Sequence, residues 1–313
     1  TTGFVVRPDG STVAALTIPT RLAGTDKVRK RGTMPMPVPD VPPVPISVVP
    51  WPKSVAVSGR RAPPQGFTVH VKPGDGMASA AAASFAQLVQ KLFPGEAIAR
   101  LGEEGGLLVD LVRVASMAPE AYAITFGEDR LRVEAATSTG YLYGLVTLGQ
   151  VLRGSRIHSQ KFNFPLAGRI EDAPEMGWRG CHLDVARRFY GRAEVEQFLA
   201  TLAWNKLNRF HWHLSDDEGW RVEIDAYPAL TQRGAWRGYG MGIPPLLGSG
   251  PERTGGYYTQ SIVRAIVAQA AEWGIEVIPE IDVPGHCYAM LEAMPELRDP
   301  GENGLYHSIQ AFP

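Results

Sequence analysis

Charged side chains and histidines cluster in three short segments in the second half of the chain. These segments are residues 184–188, 211–221 and 280–286. Carboxylates and imidazoles can hold or transfer protons, and an arginine side chain can grip hydroxyl or carboxylate groups through several N–H donors. Such residue types, if brought together, could form an acid–base active site.

The surrounding pattern predicts that each cluster follows a β-strand. Strands are predicted at 181–185, 207–214 and 276–282, and helices at 194–205 and 260–273 alternate with them. This alternation is typical of parallel strands connected by crossover helices. Because the carboxyl ends of parallel strands meet at one edge, the three clusters are expected to converge.

Three such units predict an α/β fold, the first part of a (β/α)8 TIM barrel, over residues 166–313. A complete barrel needs about 250 residues. The barrel is therefore incomplete in this chain, or the fold is something smaller.

A small α+β domain is predicted over residues 46–165, because short strands there accompany two helices at 77–92 and 138–152. Residues 1–45 are interpreted as the tail of a preceding segment followed by a proline-rich linker. Eight prolines occur between Pro35 and Pro52. Proline fits neither a helix interior nor a central strand, so this stretch is either a linker or an irregular loop packed on a domain.

The composition is that of a globular protein and excludes several function classes. Hydrophobic residues make up 44% of the chain, charged residues 20%, and the net charge is −1. This charge balance argues against a nucleic-acid partner, and the lack of an apolar run of about 18 residues argues against a membrane span. Two cysteines cannot build a disulfide framework.

Each cluster also has a simpler interpretation. His211 and His213 project to the same face of a strand, where they could be core histidines. They could also bind a metal, but local spacing sets no third ligand, so no metal is assigned. Residues 216–218 could be a solvated acidic loop, and residues 282–285 a turn that ends a strand.

Three blocks of the sequence resemble the family 20 glycoside hydrolases, the β-N-acetylhexosaminidases. The blocks are residues 179–189, 205–221 and 279–286, and they occur in the family's order. Residues 258–260 also match the family's pattern, and residues 121–152 resemble the small α+β domain that precedes its barrel.

This resemblance implies a retaining mechanism assisted by the substrate, with a small carbohydrate as partner and no cofactor. The carbonyl oxygen of the sugar's own 2-acetamido group attacks the anomeric carbon, so no glycosyl-enzyme forms. The resemblance implies that Arg187 binds the hydroxyl groups of the terminal sugar. Arg188 departs from the histidine that usually follows this arginine.

The resemblance also implies supporting roles for the other polar residues. Asp216 and His286 match the aspartate and the histidine that support the acid/base glutamate by orienting it and adjusting its pKa. Glu280, Asp282 and His213 are expected to belong to the same polar network.

The family's catalytic Asp-Glu pair, in a His-x-Gly-Gly-Asp-Glu block after the fourth strand, does not occur in the sequence. Asp217 and Glu218 are adjacent, but they follow the second strand and are not assigned that role. We therefore expect the chain to be truncated within the barrel and to be inactive alone.

The leading hypothesis is that the chain is part of a β-N-acetylhexosaminidase, which acts on terminal β-linked N-acetylhexosamine. The alternative from another class is a non-catalytic carbohydrate-binding protein on a degenerate barrel. A third interpretation is a different barrel glycosidase with Asp216 or Asp217 as its acid.

Overall fold

The computed structural model describes residues 44–102 and 106–300, together with the backbone of two short strands near the amino terminus. Those strands, β1 (Val5–Val6) and β2 (Thr12–Val13), pair antiparallel within a unit that spans residues 1–41. Most of the predicted 1–45 segment lies outside the described residues. Residues 42–313 form the second unit.

The described end of the proline-rich stretch is packed on the second unit. Val44, Ile46 and Val48 are buried in its hydrophobic core. The side chain of Gln150 accepts a hydrogen bond from the backbone N–H of Val49 and donates one to its carbonyl oxygen, at 3.0 and 2.8 Å. Of the two interpretations left open, residues 44–49 fit the packed loop.

A seven-stranded mixed sheet follows, and two helices pack on it. The strands run in the order β3-β9-β7-β8-β6-β4-β5 once they are numbered along the chain. The elements are β3 (Ser54–Ser58), β4 (Phe67–His70), α1 (Gly76–Leu92), β5 (Ala99–Leu101), β6 (Leu107–Arg113), β7 (Tyr122–Phe126), β8 (Arg130–Ala135), α2 (Ser138–Ile157) and β9 (Ala167–Asp172).

The predicted domain boundary between residues 165 and 166 falls too early. Strand β9 pairs antiparallel with both β7 and β3, so residues 167–172 complete the seven-stranded sheet. Its sequence, AGRIED, has a single fully buried apolar residue, Ile170, and therefore lacks the alternation that predicts a strand.

The rest of the chain alternates strands and helices around a second, parallel sheet. Its three strands run in the order β10-β11-β16. The elements are β10 (Gly180–Asp184), α3 (Arg192–Trp204), β11 (Arg209–His213), β12 (Ser215–Asp216), β13 (Gly219–Trp220), α4 (Ala229–Gln232), β14 (Trp236–Arg237), β15 (Thr254–Gly255), α5 (Gln260–Glu272), β16 (Glu276–Glu280) and α6 (Tyr288–Ala293). Among the described residues, no helix combines the length and the apolar character needed to cross a membrane.

The same helix cap leads into both β11 and β16. After α5, the Ile275 N–H bonds the Ala270 carbonyl and Gly274 adopts φ 72°. After α3, the Leu207 N–H bonds the Leu202 carbonyl in the same way. This is the Schellman arrangement, in which a residue with positive φ reverses the chain.

Lys206 occupies the cap position after α3 that Gly274 occupies after α5. Its φ is 57°, and the residue is 3% exposed. The Nζ atom has no hydrogen-bond partner among the described residues and lies 5.8 Å from the centre of the Tyr122 ring. Burial, opposed by the charge of Asp172, lowers the pKa of Lys206 to about 8.

The seven-stranded sheet region contacts the parallel sheet through a polar cluster. The guanidinium of Arg179, just before β10, donates to Glu120 Oε1 at 2.5 Å and to the Tyr143 hydroxyl at 2.9 Å. The side chain of Asn208, just before β11, accepts a hydrogen bond from the Arg179 N–H at 2.9 Å. These contacts fix the amino ends of β10 and β11 against the preceding region.

Replacing Lys206 with Met should raise the free energy of unfolding by about 3 kcal/mol at pH 7, because the folded protein no longer holds a buried ammonium below its ordinary pKa. The gain should shrink to about 2 kcal/mol at pH 9, where folded wild-type protein has released the proton that its unfolded chain still binds. Urea unfolding of both proteins at pH 7 and pH 9 measures these differences in the free energy of unfolding. Lys72→Met, at an exposed lysine, is the control, and a gain that does not depend on pH would contradict the account.

Candidate active site

The carboxyl ends of the three parallel strands carry a row of polar side chains. In the register of the sheet, Asp184 of β10 is paired with His213 of β11, which is paired with Glu280 of β16. Residues paired across neighbouring strands project to the same face of a sheet. The row is therefore fixed by the backbone hydrogen bonds of the sheet.

His213 lies between two carboxylates. Its Nδ1 is 2.8 Å from Glu280 Oε2, and its Nε2 is 2.8 Å from Asp216 Oδ2. The hydrogen bond with Asp216, reinforced by the one with Glu280, outweighs burial and raises the pKa of His213 to about 9. The imidazole is therefore protonated at neutral pH and donates from both nitrogens.

The carboxylate of Asp216 is almost fully buried, with 1% of its side chain exposed. Burial by itself would raise its pKa. The hydrogen bond from His213, the N–H of Asp217 at 2.7 Å and the charge of Arg187 reverse this effect and hold the pKa of Asp216 below its ordinary value. Asp216 is thus a stable anion at the centre of the site.

Arg187 contacts three carboxylates at once. Its side-chain nitrogens lie 3.0 Å from Asp184 Oδ2, 2.7 Å from Asp216 Oδ2 and 3.1 Å from Glu218 Oε2. The other oxygen of Asp184 accepts the N–H groups of Ala186 and Arg187, both at 3.0 Å, which sets the turn after β10. About a quarter of the Arg187 side chain remains exposed.

Glu218 is held inside the protein and turned toward Arg187. Its side chain is 1% exposed. Burial, and then the negative charge of Asp216, raise the pKa of Glu218, while Arg187 opposes them. The Asp217-Glu218 pair is therefore not an exposed acid pair.

His286 joins the cluster from the loop that follows β16. Its Nδ1 lies 3.1 Å from Asp216 Oδ1 and 3.6 Å from Asp217 Oδ2, and the side chain is 55% exposed. The residue adopts φ 53°, a conformation that non-glycine residues adopt infrequently and that occurs at functional sites. This conformation leaves one edge of the imidazole facing solvent next to Arg187.

Asp282 is only loosely connected to the network. Its backbone N–H donates to Ser215 Oγ at 3.0 Å. Its carboxylate lies within 4.8 Å of ligand atoms of His213 and Glu280, but makes no side-chain hydrogen bond to the described residues. The contact of Asp282 with the site is therefore made by its backbone.

A second arginine holds the loop that presents Arg187. The buried guanidinium of Arg221 donates to the carbonyl oxygens of Val185 and Ala186 at 2.8 and 2.6 Å, and to those of Ala235 and Gly256 at 2.6 and 3.1 Å. Burial lowers the pKa of Arg221 to about 10, so it is charged at neutral pH. Arg221 joins the turn after β10 to two later loops.

Two further features support this arrangement. A Cβ atom at Gly219 would lie 2.3 Å from the Arg221 guanidinium, so the close approach requires glycine. The Arg237 side chain donates to the Arg187 carbonyl oxygen at 2.6 Å. The loops after β10 and β11 are thus tied together at the site.

The structure brings together five of the six residues that the sequence pointed to, and it places Asp282 at their edge. Those five are Arg187, His213, Asp216, Glu280 and His286. Sequence reasoning assigned no role to Asp184, Glu218 or Arg221. For Asp184 and Glu218, the available signal was their position at the end of a strand or in the loop after it. For Arg221, nothing in the neighbouring sequence predicts that its side chain is buried.

Comparison with known sequences identifies the family. Residues 45–173 match "Glycosyl hydrolase family 20, domain 2", and residues 176–311 match "Glycosyl hydrolase family 20, catalytic domain". The chain belongs to glycosyl hydrolase family 20. The boundary between the two matches follows β9, as the pairing of that strand requires.

Two curated relatives show how much of a family 20 protein the chain spans. It is 42% identical over 193 residues to a beta-hexosaminidase of Vibrio furnissii, which covers 61% of the chain and 31% of that protein. It is 36% identical over 215 residues to a beta-N-acetylhexosaminidase of Cellulomonas fimi, covering 67% of the chain and 40% of that protein. The chain therefore spans less than half of the length of either relative.

Solved family 20 structures are similar in fold. A GH20 exo beta-N-acetylglucosaminidase from Vibrio harveyi, solved in complex with N-acetylglucosamine, has a TM-score of 0.70 and 32% identity. The match covers 86% of this chain and 42% of that chain. A Streptomyces coelicolor beta-N-acetylhexosaminidase has a TM-score of 0.63 and 30% identity, over 80% of this chain and 49% of that one.

The imidazole of His213 in this family 20 chain should titrate near pH 9, and Asp216→Asn should lower that pKa by about one unit or more, because the strongest acceptor loses its charge. Imidazole NMR signals followed from pH 5 to pH 10, in buffer containing a chelator, measure both values. The stability that His213 contributes should be complete below its unfolded pKa, near 6.5, and should be lost as the pH rises toward 9.

The control for this titration is Asp225→Asn, which removes an exposed carboxylate outside the network. The pKa of His213 in that variant should equal its pKa in the wild-type protein. A wild-type pKa close to 6.5 would contradict the double hydrogen bond.

Replacing Arg221 with Met should lower the free energy of unfolding by more than about 3 kcal/mol, because four carbonyl oxygens lose their shared donor. Arg221→Lys should restore only part of the loss, since an ammonium cannot reproduce the planar fork. Urea unfolding at pH 7 measures the free energy of unfolding of each variant. Arg188→Met removes an exposed arginine from the turn after β10, which Arg221 contacts, and should cost less than about 0.5 kcal/mol. Equal losses in the two Met variants would refute the role of Arg221.

Proposed function

We propose that this chain forms part of an enzyme that removes terminal, non-reducing β-linked N-acetylhexosamine residues from chitin oligosaccharides or glycoconjugates. The observation that carries the proposal is the convergence of Arg187, Asp216 and His286 from three strand ends, with parts of the Arg187 and His286 side chains exposed to solvent. The names of the relatives, beta-hexosaminidase and N,N'-diacetylchitobiase among them, support the same substrate class.

The proposed scaffold is the first part of a (β/α)8 barrel. Three parallel strands in register, connected through α3 and α5, support this architecture. In such barrels, the loops after the strands form the active site at the carboxyl edge. The seven-stranded sheet region before it is proposed to be a separate domain that supports the amino ends of the strands.

The proposed reaction is hydrolysis with retention, assisted by the substrate. The carbonyl oxygen of the 2-acetamido group forms a bond to the anomeric carbon while the glycosidic bond breaks, giving an oxazolinium ion. A carboxylic acid gives its proton to the leaving oxygen. Water then attacks the anomeric carbon, returns a proton to that carboxylate and restores the acetamide.

Arg187 is proposed to bind sugar hydroxyl groups through its exposed N–H edge. Asp184, Asp216 and Glu218 hold the rest of the guanidinium, so little side-chain entropy remains to be lost on binding. The pair Asp216 and His286, next to the Arg187 guanidinium, is proposed to orient the acid/base glutamate. Asp216 is a stable anion, and its Oδ1 lies 3.1 Å from Nδ1 of His286.

The acid/base glutamate is proposed to lie outside residues 1–313. Glu218 does not fit that role, because its buried carboxylate faces Arg187. The chain is therefore expected to bind the sugar without cleaving it. The alternative is a carbohydrate-binding protein without catalysis, which requires the same Arg187 contacts. In that case the complete gene product would bind the sugar without hydrolysing it.

Turnover separates these two functions. The complete gene product should hydrolyse 4-nitrophenyl N-acetyl-β-D-glucosaminide, whereas residues 1–313 should release no nitrophenol above the buffer rate. Binding of the sugar without turnover by the complete product would favour the binding protein. Hydrolysis by residues 1–313 at the rate of the complete product would refute the placement of the acid.

Arg187→Gln should weaken N-acetylglucosamine binding by residues 1–313 at least tenfold, because a hydrogen bond from a charged donor contributes about 1.5–3 kcal/mol. Saturation-transfer NMR with a titration of the sugar measures the dissociation constant. Arg188→Gln, in the same loop, should leave it within a factor of about two. Equal binding by wild type and Arg187→Gln would overturn the assignment of Arg187.

A further inference from the structure

Each nitrogen of the Arg187 guanidinium lies beside a different carboxylate. Nη1 is 3.0 Å from Asp184 Oδ2, Nη2 is 2.7 Å from Asp216 Oδ2, and Nε is 3.1 Å from Glu218 Oε2. Nε joins the planar group to the aliphatic part of the side chain and carries a single N–H. The hydrogen bond to Glu218 therefore fixes the direction in which the guanidinium plane faces and leaves the donors of the two Nη atoms for a ligand.

The burial of Glu218 is complete within the described residues. Its side chain is 1% exposed, as is that of Asp216. Both residues lie in the loop after β11, which is the middle strand of the three, so the strands on both sides of it are present. Further parts of the proposed barrel could only cover these side chains more. The contact between Glu218 and Arg187 is thus independent of how much of the barrel the chain spans.

The charges around Glu218 favour uptake of a proton by this carboxylate. Asp216 and Asp217 face it from its own loop, Arg187 from the turn after β10, and Arg221 from the residue that follows β13. Burial, and then the charge of Asp216, raise the pKa of Glu218 in spite of Arg187, whereas the pKa of Asp216 is held below its ordinary value. As the pH falls, Glu218 is therefore protonated before Asp216.

Protonation of Glu218 would change how firmly Arg187 is held. A carboxylate accepts a charge-assisted hydrogen bond from a guanidinium, which is roughly twice as strong as a bond to a neutral group. With a neutral Glu218, Asp184 and Asp216 still hold the two Nη atoms, but the Nε–H is held less firmly. A less firmly held guanidinium loses more conformational freedom when it binds a ligand, so its affinity falls.

We propose that Glu218 is a positioning residue that makes sugar binding at Arg187 depend on pH. As a carboxylate it holds the Nε–H of Arg187, and as a carboxylic acid it loosens that hold, without touching the sugar itself. The inference rests on the proposed function, because it takes Arg187 as the residue that binds sugar hydroxyl groups. It adds a control by protons: the affinity is higher at neutral pH and falls on acidification.

NMR of the Arg187 side chain tests the hydrogen bond without any sugar. The ¹⁵N-edited Nε–H signal that is missing from Arg187→Gln should shift between pH 4 and pH 8, with a midpoint above 4.5, the ordinary pKa of a glutamate side chain. This titration should be absent from Glu218→Gln. Glu252→Gln makes the same change at an exposed glutamate of the long loop after β11 and should keep the wild-type curve.

The dissociation constant of N-acetylglucosamine, measured by saturation-transfer NMR over the same pH range, tests the consequence for binding. Wild-type protein should bind the sugar at least about threefold more weakly at the acidic end of the Arg187 titration than at its neutral end. Glu218→Gln should have the weaker affinity at both ends, and Glu252→Gln should follow wild type. Near-ultraviolet circular dichroism at each pH establishes that the variants remain folded.

The outcomes separate this inference from the proposed function. The same pH dependence of the Nε–H signal, or of the sugar affinity, in Glu218→Gln as in wild type would overturn the inference and leave the proposed function standing. A titrating Nε–H signal in a wild-type protein that binds no sugar at any pH would overturn the proposed function, and the control of binding with it.

Discussion

The ion pair between Arg187 and Asp216 is the interaction on which the site depends. Asp216 is almost fully buried, and an isolated buried carboxylate would take up a proton or move to solvent. A guanidinium at 2.7 Å and a protonated imidazole at 2.8 Å keep it ionised in place. In return, the fixed anion holds the side chains of Arg187 and His286 next to each other at the carboxyl edge of the parallel sheet.

The surrounding scaffold supports that pair through backbone contacts. Parallel register aligns Asp184, His213 and Glu280, and Arg221 then ties the loops after β10 and β11 together through four carbonyl oxygens. The buried charge of Arg221 is tolerated because all four acceptors surround it. Lys206 is the contrasting case, since its buried ammonium has no hydrogen-bond acceptor among the described residues.

Elements with a strong hydrophobic period could be predicted from the sequence to within a few residues. Helix α5 was predicted at 260–273 and spans Gln260–Glu272, and α1 was predicted at 77–92 and spans Gly76–Leu92. Strand β9 was missed because its stability comes from pairing with β3 and β7, distant in sequence. The convergence of Arg187 and His286 was predicted because parallel strand ends share an edge, but nothing local indicated that Glu218 turns inward.

The most direct test is a double-mutant cycle on Arg187 and Asp216, with Arg187→Met, Asp216→Asn and the double variant compared with wild type by urea unfolding at pH 7. A coupling free energy of about 1.5–3 kcal/mol is predicted, since Asp216 is buried and the two side chains are in direct contact. Additive losses, with a coupling below about 0.5 kcal/mol, would mean that the two side chains act independently and would contradict the account.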